Sequence, residues 1–170
     1  MVDDEDYGWL TALGSWYAAP TEYTTYAKRG ISIVDYGNPR NVTKMHVAIM
    51  LPRIELGVKV DHLDGDGLNN QRSNLRLATQ AQNLLNRGPQ RNNCSGFKGV
   101  SWHKGAGKWT ANISVNGSRR YLGVFDGVLD AAAAYNKAAV ELHGEFAWLN
   151  DLTVVSSPGI LTPNERSTND

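Results

Sequence analysis

Two α+β modules are predicted by three observations. Over residues 58–85 a short alternating run, a Gly-rich turn, a polar loop and a second short run lead into a helical pattern. Over 96–125 three alternating runs are each bounded by turn residues, and from Asp126 the apolar spacing switches to a helical period.

In the first module Val58, Val60 and His62 alternate with Lys59 and Asp61, as a strand requires, and Asp64-Gly65-Asp66-Gly67 then forces a turn. An Asn-rich loop runs on to Asn74. Beyond the apolar piece Leu75–Leu77, Thr79 and Gln82 fit a capping box, in which each side chain covers an orphan donor at a helix start. Asn83 then lies just over one turn into the helix, Leu84 and Leu85 anchor it, Gly88 fits the position past its end, and Pro89 prevents continuation.

This order brings a carboxylate (Asp61), an imidazole (His62) and a carboxamide (Asn83) to where one divalent cation and one water could meet. Taken singly, each residue also fits an ordinary strand end or turn. A calcium loop of the EF-hand type is excluded, because the twelfth position counted from Asp61 holds Arg72 where a glutamate is required.

The stretch 61–83 resembles the HNH endonuclease family, whose ββα-metal fold carries an Asp-His pair on its first strand and a His or Asn on its helix. The nearest likeness is to phage homing endonucleases with the Asn variant. That resemblance implies that Asp61 and Asn83 hold the metal, that His62 activates water, and that Asn74 ties the loop together and orients His62 without touching metal. Mg2+ is the implied ion, with Mn2+ a possible substitute: a hard cation that keeps several waters needs only one or two protein oxygens beside phosphate. Neutral His62, with an ordinary pKa near ~6.5, suits proton acceptance around neutral pH.

Upstream, Met45–Leu51 is an apolar run similar to the short helix that precedes the motif in this family, where a His commonly starts the segment and an Arg follows it. Here Val47 replaces the Arg, and His46 is open between the active site and the core; Arg76 is a further secondary candidate. Residues 1–44 are expected to form a small helix and strands, with Trp9, Trp16, Tyr17, Tyr23, Tyr26 and Tyr36 as core rather than as a base-stacking platform.

In the second module the alternating runs are Gly96–Lys104, Gly107–Val115 and Arg119–Phe125, each bounded by a turn, and Asn116-Gly117 is a hairpin signal. Val128, Ala132, Tyr135, Ala139 and Leu142 share one helical face and Gly144 fits the stop, so one helix covers one side of a three-stranded antiparallel sheet. The Ala-rich stretch 131–139 permits close approach. The uncovered side is left for a partner.

Lys-Gly-Val, Gly-Lys-Trp, Tyr-Leu-Gly-x-Phe, Ala-Ala-x-Ala-Tyr and a closing Leu-Asn make segment 95–150 similar to the AP2 domain of plant transcription factors and phage HNH enzymes. The resemblance implies that Lys98, Ser101, Trp102, Lys104, Lys108, Trp109, Asn112, Ser114, Arg119 and Tyr121 lie near DNA. Ser101 and Ser114 stand where arginines are usual and Asn112 where a glutamate is usual, so the plant domain's base preference is not expected.

The whole-chain quantities agree. The 170 residues suffice for two small domains, and formal net charge is zero, against indiscriminate polyanion binding. Residues 96–150 nonetheless hold six Lys or Arg against four acids. The sole cysteine, Cys94, excludes an internal disulfide and any Cys cluster for zinc, which points to a reducing cytoplasm, the host's if the chain is phage-encoded. No secretion signal or membrane segment is expected. The expected organisation is a nuclease-like domain at 1–88, a linker at 89–95, the sheet-and-helix domain at 96–150 and an extended or disordered tail at 151–170.

These readings predict an endonuclease, of homing type by resemblance, that acts on double-stranded DNA as a monomer or weak dimer and nicks one strand per active site. A DNA-binding regulator with a scaffold HNH fold is the rival. A nuclease-fold module acting on RNA or in DNA packaging is a third reading.

Overall fold

The computed structural model describes residues 1–30 and 42–153, so Tyr36 and most of the expected tail lie outside the described residues. The architecture is mixed α+β, in two compact units, Met1–Leu84 and Leu85–Asp170.

The first unit opens with α1 (Asp4–Ala12), whose first turn is acidic, complementing the positive end of the helix dipole. Strands β1 (Tyr17–Pro20), β2 (Thr25–Gly30) and β3 (Val42–Lys44) form an antiparallel sheet in that order. Helix α2 (Met45–Met50) follows β3 directly. Strands β4 (Val58–His62) and β5 (Leu75–Thr79) pair antiparallel, and α3 (Gln80–Leu85) leaves β5 through the expected capping box: Thr79 N donates to Gln82 Oε1 at 2.8 Å and Gln82 N to Thr79 Oγ1 at 3.2 Å. Leu10, Ile49, Met50, Val60 and Leu75 form the core, with Trp16 packed against it.

The aromatics of this unit do not all serve that core. Trp9, Tyr17 and Tyr23 are exposed. Trp9 is turned outward on α1 and donates its Nε1 to Asp6, and Tyr17 sits on the edge strand β1. The expectation of core roles for these three is therefore corrected.

In the second unit β6 (Val100–His103), β7 (Lys108–Val115) and β8 (Ser118–Phe125) make a three-stranded antiparallel sheet, on which α4 (Val128–His143) packs. Asn116 and Gly117 both have positive φ, 49° and 79°, as the tight turn between β7 and β8 requires. Ala111 faces Ala131 and Ala132, all three fully buried, so the helix approaches as closely as its small residues permit. Gly144, at φ 57°, ends α4. Asn150 clasps the unit: its side chain binds both backbone groups of Lys98, and its own N–H donates to Asn136 Oδ1. Residues 93–95, inside the stretch read as a linker, are knitted by hydrogen bonds from Asn93 to Phe97 and from Ser95 to Val100, and Ser95 is buried.

Among the described residues no helix is long and apolar enough to cross a membrane.

Candidate active site and the outward sheet face

The β4–β5 register sets Asp61 opposite Arg76 and His62 opposite Leu75. Successive strand residues point to opposite sides, which gives the two neighbours different surroundings. Asp61 Oδ2 accepts from Arg76 Nε at 3.0 Å and Nη2 at 2.8 Å, in a nearly buried ion pair. His62 instead lies edge-on to His46, 4.7 Å between ring centroids, with Tyr26 at 5.9 Å. His62 Nε2 contacts Asn70 Oδ1 at 3.3 Å. A carboxamide oxygen can only accept, so that nitrogen carries the proton.

Burial lowers the His62 pKa, against the opposing effects of the Asn70 hydrogen bond and the Asp64, Asp61 and Asp66 carboxylates. His46 is pushed down to about 2 by burial, with His62 and Lys44 adding to the shift. Both rings are therefore neutral near pH 7, and the geometry assigns His46 to both settings: it is buried and also packs on His62.

Asn74 organises the intervening loop. Its Oδ1 accepts from Asp64 N at 3.1 Å, and its Nδ2 donates to Asp64 Oδ1 at 2.9 Å and Asn69 O at 2.8 Å. Asn70, which sequence reasoning missed, places its carboxamide against the His62 ring nitrogen. Asn70 is fixed in turn by the N-terminal segment: its N–H donates to Met1 O, Asp3 Oδ2 accepts from Arg72 N at 2.7 Å, and Asp6 takes both Nε and Nη2 of Arg72. An Asn-rich loop was visible in the sequence, but nothing in it distinguished Asn70 from Asn69. Asn83 is half-buried on α3, one residue beyond the capping glutamine.

In the second unit, Ser101 pairs with Thr110, His103 with Lys108, Asn112 with Tyr121 and Ser114 with Arg119. These residues share the side of the sheet away from α4, and the Ser101–Thr110 hydroxyl contact of 3.0 Å confirms the shared face. Ser101, Lys108, Asn112, Ser114, Arg119 and Tyr121 thus come together on one outward face, with His103 added. Lys104 is exposed in the β6–β7 turn, and Lys108 pairs with Asp126 at 2.9 Å.

Three residues expected near DNA are placed otherwise. Trp109 is only 4 % exposed in the core, and Trp102 meets it edge-on, with 5.1 Å between ring centroids, on the same, helix-facing side. Lys98 is half-buried, and its ammonium donates to the carbonyls of Leu85 and Arg87 within the same unit. Burial lowers its pKa to about 8.

A strand pair that ends on Asp-His runs into a capped helix bearing Asn, and a family model described as HNH endonuclease matches residues 46–85. Protein 3.8 of Escherichia phage T7 is 35% identical over 112 residues, covering 66% of this chain and 91% of that protein. The chain belongs to the HNH endonuclease family. An uncharacterized HNH endonuclease, L560, of Acanthamoeba polyphaga mimivirus is 34% identical over 108 residues, 64% of this chain but only 55% of that protein. The AP2-like ethylene-responsive transcription factor TOE2 of Arabidopsis thaliana is 41% identical over 64 residues, 38% of this chain and 13% of the factor. No solved structure matches.

Proposed function

We propose that the chain is a metal-dependent DNA endonuclease of homing type, in which a ββα-metal domain at 1–88 cuts and an AP2-like domain at 96–150, joined through 89–95, holds the duplex. The observation that carries this reading is His62, buried and neutral yet fixed by Asn70, His46 and Tyr26, one residue from the Asp61 carboxylate.

The donor set fits a hard divalent cation such as Mg2+ or Mn2+. Asp61 and Asn83 would offer it one carboxylate and one amide oxygen, with phosphate oxygens and water completing its shell. When bound, such an ion neutralises charge developing on the phosphate oxygens. The neutral His62 ring accepts a proton from water at its unprotonated nitrogen. Arg76 limits the charge on Asp61, and Asn74 keeps the loop in the shape that presents His62.

On the outward sheet face Lys108, Arg119, Asn112, Ser101, Ser114 and Tyr121 supply cationic, amide, hydroxyl and aromatic groups suited to phosphates and base edges in a groove. One active site per chain favours a monomer that nicks one strand. A double-strand break would take a dimer or two events.

The test is conversion of supercoiled plasmid to nicked or linear DNA with magnesium, manganese or EDTA, comparing the parent with His62→Ala and Asp61→Ala. Metal-dependent nicking lost in both variants establishes the nuclease. Retained DNA binding without cleavage across metals and sequences replaces it with a non-catalytic DNA-binding regulator.

A further inference from the structure

The first unit holds cations that the cleavage site does not use. In the β2–β3 register Lys28 stands directly opposite Lys44, an arrangement in which like charges destabilise a strand pair. Tyr26, two residues before Lys28, shares that face, and the Lys44 ammonium lies 4.0 Å above its ring. The same ring packs on His46 at 5.4 Å and His62 at 5.9 Å. The turn after His62 rests on it as well: a Cβ at Gly67 would lie 2.7 Å from the Tyr26 ring and 2.6 Å from Thr25 O.

Lys44 is half-buried, and burial followed by the fields of Lys28 and Lys59 holds its pKa below the ordinary lysine value. Among the described residues none of these three lysines has a carboxylate within ion-pair distance. Repulsion with no carboxylate beside it is a cost that an anionic ligand lowers. An ammonium over a ring can turn one N–H to the ring and still have donors left for an anion.

We propose that Lys28 and Lys44, steadied by Tyr26, form a phosphate-binding pair beside His62 that takes the sugar-phosphate backbone of the nucleic acid. The identity of the ligand rests on the endonuclease reading. Tyr26 is then the shared wall between that pair and the His62 ring.

The experiment is duplex binding by the full chain in EDTA, read by fluorescence anisotropy of a labelled oligonucleotide from about 50 to about 200 mM salt. For Lys28→Met/Lys44→Met the slope of log affinity against log salt is expected to fall in magnitude by about 1.8, or about 0.9 for each phosphate no longer neutralised. The melting temperature is expected to hold or rise, because the repulsion is gone. Lys44→Arg is expected to keep the parent slope. A slope unchanged in the double variant, or lowered no more than by Lys137→Met on the exposed side of α4, overturns the pair.

Plasmid cleavage by the parent separates this outcome from the broader reading. Cleavage with an unchanged slope in the double variant overturns the phosphate pair alone. Binding without cleavage, with the slope still reduced in the double variant, removes the endonuclease reading and leaves the pair standing.

Discussion

The imidazole of His46 meets that of His62 edge-on, with ring planes at 90° and centroids 4.7 Å apart. Tyr26 and Lys44 complete the ring's surroundings. The pKa of His46 is about 2 in the folded chain and near its ordinary 6.5 unfolded, so the unfolded state binds more protons between those values. Stability is therefore full above about pH 6.5 and falls as the pH drops below it. His46→Phe is expected to flatten this loss, measured as urea midpoints at about pH 5 and about pH 7.5, with His62 retaining a share because its pKa moves the same way.

On the endonuclease reading, substitutions at His62 and at its neighbour Asn70 have different expected sizes. His62→Ala should lower kcat for cleavage by about 10²–10⁴, the range for loss of a general base. Asn70→Ala removes one hydrogen bond to the ring and should cost about tenfold in kcat with KM little changed. Single-turnover cleavage at saturating DNA separates the two, and an Asn70→Ala rate equal to the parent's would count against a positioning role.

Arg76→Met removes the guanidinium from the nearly buried Asp61 carboxylate, an expected loss of up to about 3–5 kcal/mol in EDTA. A cation bound at that carboxylate would replace the missing charge. The rise in melting temperature on adding magnesium is accordingly expected to be larger in the variant than in the parent.

Gly99 sits at φ 77°, and a Cβ there would strike the Tyr135 ring and lie 2.5 Å from Asn112 O. Gly99→Ala is expected to destabilise the second unit by more than about 2 kcal/mol, through both backbone strain and collision with the ring. Chemical denaturation of the full chain followed by tryptophan fluorescence reports it, since Trp109 lies in the same unit's core.

Arg119→Ala and Tyr121→Ala are expected to weaken duplex binding without lowering the melting temperature, because both side chains are exposed. Trp109→Ala is expected to do the reverse in stability, with a loss of about 3–5 kcal/mol. Anisotropy titrations beside thermal melts distinguish a DNA-facing side chain from a core one.

What the sequence made legible was local. The Thr79–Gln82 capping box, the Asn116-Gly117 turn and the apolar face of α4 each depend on residues a few positions apart, and each appears in the structure. The Asn70–His62 contact, eight residues apart within an Asn-rich loop, was not specified by any spacing rule. Nor was the brace behind it, in which Asp6 reaches Arg72 across 66 positions. Trp102 and Trp109 were expected near DNA beside their strand neighbours Ser101 and Lys108, yet neighbours in a strand point to opposite faces, and the structure puts both tryptophans beneath the helix.

The period of two in the second sheet has a consequence for how such a chain can diversify. Val100, Trp102, Trp109, Ala111 and Ile113 hold the module together, while Ser101, Lys108, Asn112, Ser114, Arg119 and Tyr121 look the other way from the same strands. Replacements in the outward set leave the packing beneath α4 untouched, so drift can rewrite the chemistry of that face, residue by residue, on an unchanged scaffold.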